Sequence, residues 1–286
     1  MTRTVLITGT SSGLGRETAE RLARDGYRVF ATMRDVASRN RSHADALRSR
    51  KISVVELDVT DDGSIDRAIA LILAEARKID VLVNNAGMAS VGVTEAFTAD
   101  QTKAIFDTNV IGLLRVTRAV LPSMRRERDG LIINMGSVLG RVTFPFVGIY
   151  CASKMAIEAL TDSLRLEVSQ LGIDVVEVQP GAYPTSLYSS IQRPADDDIT
   201  KSYGELGQIP DAIHKTYTTM LQGEDAPKLH EVAEAVAKLI GQAKGSRAVR
   251  TVVGMSFGAD RINAEVAPIQ KALVDGLGLG HLEELA

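Results

Sequence analysis

The chain has no tryptophan and one cysteine, Cys151, in 286 residues. A single thiol excludes a framework of intrachain disulfides, and a reducing, cytoplasmic setting is expected. Histidine is also scarce. The four imidazoles, at positions 43, 214, 230 and 281, show no ligand spacing, so no structural metal is expected. No basic tract is present: 33 Lys and Arg are interspersed with 36 Asp and Glu, for a formal charge of −3. That pattern argues against nucleic-acid or membrane partners. The opening "MTRTVLITG" has too few apolar residues before its glycine for an export signal or a membrane span.

What the chain does have is a repeated alternation. Short runs rich in Val and Ile recur at 4–8, 27–32, 52–57, 80–84, 131–135, 174–179 and 248–253, separated by segments of helical period such as Ile65, Ile69, Ile72, Leu73 and Ala76. This predicts one α/β domain over 1–286, with a seven-stranded parallel sheet covered by helices on both faces. The rhythm breaks from Gly181 to about Lys228, where only "PDAIHKTYTTML" (210–221) reads as a helix. Its apolar residues recur every four positions, and an insertion of this length after the sixth strand is expected to be a substrate lid.

The first strand runs into "TGTSSGLG", Thr8 to Gly15, and then a helix. Glycines at 9, 13 and 15 permit a sharp turn and close approach of a ligand, and the helix N-terminus offers free N–H groups to a pyrophosphate. Gly9, Ser11, Ser12, Gly13, Leu14 and Gly15 are therefore candidate cofactor contacts. A glycine cluster alone is weak evidence; its place between a strand and a helix strengthens it. Where the second strand ends, "FATMRD" puts Met33 at the position of the acid that would bind the ribose of NAD, followed by Arg34. A basic residue there suits the 2′-phosphate of NADP, so NADP(H) is expected over NAD(H), with Asp35 as the counter-indication. The turns "ELDVTD" (56–61) and "NNAG" (84–87) should border the same crevice. They offer Asp58, for the adenine amino group, with Val59, Asn85, Ala86 and Gly87.

The fifth strand ends in "NMGS", thirteen residues before Tyr150, and Lys154 follows Tyr150 by one helical turn. Tyr and Lys four apart are common by chance, but here Ser137 would meet them at one rim. A phenol titrates near ~10, and a fixed ammonium nearby is expected to lower that value. Tyr150 would then act as general acid and base on a carbonyl or alcohol held by Ser137, while Lys154 binds the ribose hydroxyls.

In this order and spacing the Thr8–Gly15 turn, "NNAG", Ser137 and Tyr150-x-x-x-Lys154 resemble the classical short-chain dehydrogenase/reductase family over roughly residues 4 to 185. The resemblance implies a single-domain Rossmann fold with strand order 3-2-1-4-5-6-7 and a nicotinamide cofactor. It implies that Asn109, in "FDTNVIG", completes a tetrad by holding a water beside the lysine. It also implies that Pro180, Gly181 and Thr185 match a P-G-x-x-x-T element whose threonine bonds the nicotinamide carboxamide; Pro184 is an unusual addition to that loop. Such proteins pack the helices here placed at 100–127 and 149–171 against a partner, so a homodimer or homotetramer is expected. The "ATMRD" turn and the long insertion are more similar to the hydroxysteroid and retinol dehydrogenase branch than to the shorter acyl-carrier-protein reductases.

Phe and Val residues between Ser137 and Tyr150, with Met88, Tyr183, Tyr188, Tyr203, Tyr217 and Met220, could line a pocket for an apolar ketone, aldehyde or secondary alcohol. Equally, lid aromatics pack against the lid itself. Arg141 could meet an acidic group, although solvent exposure is the plainer expectation. Three functions compete: a carbonyl reductase or alcohol dehydrogenase, an epimerase-type relative that retains its cofactor, and a non-catalytic redox sensor. The intact Tyr–Lys pair favours the first.

Overall fold

The computed structural model describes residues 2–286. Its sheet contains β1 (Thr4–Ile7), β2 (Arg28–Met33), β3 (Ser53–Glu56), β4 (Val81–Asn84), β5 (Gly130–Met135), β6 (Ile173–Pro180) and β7 (Arg250–Val253). All neighbours are parallel, in the order β3-β2-β1-β4-β5-β6-β7, as the resemblance implied. The helices are α1 (Gly13–Arg24), α2 (Arg41–Arg48), α3 (Asp62–Ala76), α4 (Ala99–Phe106), α5 (Gly112–Glu127), α6 (Gly148–Ser169), α7 (Ser186–Ser189), α8 (Asp197–Ser202), α9 (Ile209–Met220), α10 (His230–Gly241) and α11 (Ala259–Gly276). None is long and apolar enough to cross a membrane, among the described residues.

Alternation along the strands divides the interior into two cores. Val5 and Ile7 of β1 face α1, α2 and α10, where Leu22, Leu47 and Val236 meet them. Leu6 points the other way, toward Ile65 of α3, Val120 of α5 and Val168 of α6. Amide and hydroxyl groups link up across the second layer. Asn84 and its register partner Asn134 are bonded at 3.0 Å and donate onward to Thr117 of α5 and Thr161 of α6, both at 2.9 Å. The buried stripe of α6 is less apolar than its sequence suggests: Lys154, Glu158 and Thr161 recur one turn apart against the sheet.

The insertion after β6 is more ordered than the single expected helix. Besides α9, it forms α7, α8 and a 3₁₀ turn, Gly204–Gln208. Asp196 caps α8 by accepting from the Ile199 N–H at 2.9 Å, and Asp197 and Asp198 sit in its first turn, where carboxylates are favoured. Helices this short show no readable period. The segment before α8 is fastened to the body mainly by main-chain atoms. Gln192 donates its N–H to the Ala89 carbonyl (2.9 Å) and accepts from the Val91 N–H (3.1 Å), and the Gln101 side chain bridges Arg193 and Ala195. By contrast, α9 buries only Pro210 along its length.

Candidate active site

The β1–α1 turn is shaped by its glycines. Gly9 (φ +69°) and Gly13 (φ +59°) occupy left-handed backbone. A Cβ at Gly9 would lie 2.8 Å from Ala86 Cα, and one at Gly15 only 2.3 Å from Asn85 Nδ2. The "NNAG" turn braces this loop from beneath: Thr8 Oγ1 accepts from the Asn85 and Ala86 N–H groups, both at 3.0 Å, while Asn85 Nδ2 donates to the Thr8 and Gly9 carbonyls at 2.8 and 2.9 Å. The Asn85 side chain is thus a strut, and the N-terminus of α1 is left facing a cavity.

That cavity, about 630 Å³, is lined by every candidate catalytic and cofactor-binding residue except Asn109. At one end stand Arg34 and Arg39, the latter not singled out from the sequence. Arg34 Nη1 is 3.7 Å from Asp58 Oδ2, and Asp35 is paired with Arg39 at 2.8 Å. Burial pushes the Asp58 carboxyl up, but Thr60, whose N–H and hydroxyl both donate to it, and then Arg34 outweigh burial and hold it below the ordinary value. Asn40 donates to the Arg34 carbonyl at 2.7 Å and shapes this end of the cavity.

Midway along, Ser137 leaves β5 and meets Tyr150 and Lys154 from α6. Lys154 Nζ donates to the Met135 carbonyl at 2.7 Å and lies 5.8 Å from the centroid of the Tyr150 ring. Burial lowers the ammonium to about 8, against the pull of Glu177 and Glu158. The Tyr150 phenol moves opposite to the expectation. Burial and then the neighbouring Tyr188 push it up, and the Ser137 hydroxyl offsets only part of that rise. The ammonium is turned toward the Met135 carbonyl.

Asn109 sits behind this wall, in a π-helical turn, Asp107–Ile111. Its side chain is engaged by protein: Oδ1 accepts from the Met88 N–H (2.7 Å), and Nδ2 donates to the Met88 carbonyl (2.9 Å) and to Ser153 Oγ (3.0 Å), which itself donates to the Tyr150 carbonyl (2.7 Å). Asn109 therefore ties the "NNAG" loop to α6.

At the far end Phe144 makes edge-on contacts with Tyr217 of α9 and with Phe257, at 6.4 and 5.6 Å between ring centroids. Met88 and Tyr188 also line this end, whereas Tyr203 and Met220 are exposed and lie outside it. Tyr203 donates to Glu95 (2.6 Å). Tyr183 anchors the start of the insertion after β6: it is buried and its hydroxyl donates to Glu231 of α10 at 2.7 Å. Pro184 next to it forms a tight turn closed by the Thr185 N–H on the Tyr183 carbonyl (2.8 Å), which sets Thr185 against Gly13. Arg141 is neither solvated nor in the pocket. Its side chain is 13% exposed, with Nη1 3.9 Å from Glu158.

The model of the short chain dehydrogenase family matches residues 3–196. The chain belongs to this family. It is 41% identical over 254 residues to retinol dehydrogenase 8 of Homo sapiens, covering 85% of this chain and 79% of the relative. To 3-ketodihydrosphingosine reductase of Bacteroides thetaiotaomicron it is 39% identical over 252 residues, covering 87% of each. Among solved structures, a variant of actinorhodin polyketide ketoreductase with NADPH superposes with a TM-score of 0.73 at 28% identity, covering 90% of this chain and 97% of that one. Membership makes the protein a hydride-transfer oxidoreductase that acts on CH–OH or carbonyl groups with a nicotinamide cofactor.

The residues present fit that cofactor. The glycines let the turn pack directly on the "NNAG" brace and leave the N-terminus of α1 lining a cavity that continues past it to Tyr150. Sequence reasoning missed Arg39 and Asn40, which follow the second strand in an irregular turn, and it missed the charges that converge on Glu158. Gln179 donates to Glu158 Oε1, and Arg250 Nε donates to Oε2 at 2.7 Å and through Nη2 to Asp162 at 2.6 Å.

Proposed function

We propose that this short-chain dehydrogenase is an NADP(H)-dependent reductase that interconverts an apolar ketone or aldehyde and its alcohol, with Tyr150 as general acid and base. The observation that carries this reading is the half-buried Tyr150 ring beside Ser137, midway between an arginine-lined end and an aromatic end of one cavity. When bound, the nicotinamide supplies or accepts the hydride. Ser137 donates a hydrogen bond to the substrate oxygen and orients the carbonyl. Tyr150, kept protonated by its burial, gives its proton to that oxygen in reduction and takes it back in oxidation. Lys154, held by the Met135 carbonyl, presents a positive charge beside the phenol and a donor for the ribose hydroxyls.

Arg34 and Arg39 together favour NADP(H), because the competing acid, Asp35, is already neutralised by Arg39. Gly13, Leu14 and Gly15 would receive the pyrophosphate, and Thr185 the carboxamide. The two relatives are named for retinol and for 3-ketodihydrosphingosine, and a carbonyl on an extended apolar skeleton is the substrate class assigned here. Exposed Ile111 and Leu114 at the head of α5 and Met155 on α6 support a homodimer or homotetramer built on those helices. The test is oxidation of NADPH and NADH against a panel of apolar and polar ketones and aldehydes. Turnover with apolar carbonyls that collapses in Tyr150→Phe, while NADPH still binds, supports the reading. Near-normal turnover in the variant removes Tyr150 from the chemistry.

A further inference from the structure

Strand β6 carries two buried carboxylates: Asp174 is paired with Arg247, and the reading just given leaves the other, Glu177, without a role. Glu177 is fully buried, and among the described residues no donor reaches either of its oxygens. Its carboxyl lies against Gly136, where a Cβ would stand 1.7 Å from Oε1. The flanking residues are Met135, whose carbonyl holds Lys154, and Ser137, which faces Tyr150. The absence of a side chain at 136 therefore admits a carboxyl to the spine of the site.

Glu177 lies on the same face of β6 as Gln179 and opposite Arg250 in the register with β7, and both of those side chains donate to a second buried carboxyl, Glu158. Glu158 already accepts from Gln179 and Arg250 and has Arg141 nearby, so it holds the negative charge of the pair. Two adjacent buried carboxyls with donors on only one of them are compatible with a single charge and a proton held on the other. Burial, and then Glu158, push the Glu177 carboxyl well above the ordinary range, while Arg250 and Lys154 pull it back. The charged groups facing Glu177 are Lys154 and Glu158 from α6 and Arg250 from β7. Asp162 and Arg141 reach the cluster through Arg250 and Glu158, and α11 contributes the neutral Asn263, which donates to Gln179 at 2.7 Å. Tyr150 is the remaining titratable group beside Lys154.

Resting on the proposed reductase reading, we propose that Glu177 is a positioning residue for the charge on Lys154. Near neutral pH it is a neutral acid that donates its proton to Glu158. As the pH rises that proton leaves to solvent, and the carboxylate left behind keeps Lys154 an ammonium beside Tyr150. The active protonation state thereby extends to a higher pH than a lysine buried alone would allow.

The experiment compares kcat against pH for the wild type and Glu177→Gln, with NADPH and a ketone reduced by the wild type. Gln keeps the volume and can still donate to Glu158, so the thermal midpoint at pH 7 should be unchanged. The alkaline limb should fall by about one pH unit, the low end of the effect of one nearby opposite charge. An unmoved limb overturns the proposal. Infrared spectroscopy supplies a readout independent of turnover: the wild type at pH 7 should show a protonated-carboxyl stretch that Glu177→Gln lacks and Glu158→Gln shifts. Absence of that band in the wild type overturns the proposal even if the reductase reading stands. A protein that reduces no carbonyl yet shows the band removes the reductase reading and leaves the shared proton established.

Discussion

Lys154→Met removes a charge from a buried site while keeping an unbranched side chain, and its thermodynamic signature can be worked out. The folded protein holds the ammonium with a value of about 8, against 10.5 for a free lysine. The folded value is the lower one, so between these two the unfolded chain binds more protons and wild-type stability rises with pH. A gap of about 2.5 pH units, at ~1.4 kcal/mol each, amounts to roughly 3 kcal/mol. Met does not titrate and has no such rise. The difference in unfolding free energy, wild type minus variant, should therefore grow by about 3 kcal/mol in favour of the wild type as the pH goes from 8 to 10.5. Loss of the bond to the Met135 carbonyl moves the whole difference by a constant. Glu177, deprived of the ammonium, keeps its proton to higher pH in the variant, which widens the difference further. Urea denaturation of both proteins at intervals across this range gives the curve. A difference that stays flat with pH would refute the claim that burial depresses Lys154.

Two other perturbations address the cofactor end. Gly15→Ala places a methyl 2.3 Å from Asn85 Nδ2 and 2.5 Å from the Gly9 carbonyl. It should cost about 1–3 kcal/mol of stability by overpacking and weaken NADPH at least about tenfold; an unchanged denaturation midpoint and Kd would show that the turn relaxes freely. Arg34→Ala should raise the KM for NADPH by about tenfold, the loss of roughly 1.4 kcal/mol from one charge-assisted contact, with little change for NADH. Equal losses with both cofactors would make Arg34 a partner of Asp58 and nothing more.

The sheet was legible because strands buried on both faces must be nearly continuous Val and Ile, and the turn at Thr8–Gly15 because only glycine fits its left-handed and crowded positions. Strand ends moved by a residue or two, as at β7, which begins at Arg250 and not at 248. The convergence of Ser137, Tyr150 and Lys154 could be read from helical spacing and from the rule that ligands gather at the carboxyl ends of parallel strands. Pairings between distant segments were not legible. Arg250 reaches Glu158 across 92 positions, and nothing in the local sequence around Arg141 marks it as a buried neighbour of the same carboxylate. The direction of the Tyr150 shift was misjudged for a related reason: spacing places a lysine near a phenol but does not say which way the ammonium turns. Glu177 left one trace, a carboxylate amid "DVVEVQ", but its meaning depends on Gly136 in the neighbouring strand.

The insertion after β6 is fastened at its two halves in unlike ways. Around Gln192 the attachment is mostly backbone to backbone, and a track held like that is indifferent to the side chains it carries. The α9 half meets the pocket through Tyr217 against Phe144, a contact made wholly of side chains. Substitutions on α9 can therefore reshape the aromatic end of the cavity while the main-chain attachment around Gln192 is left in place.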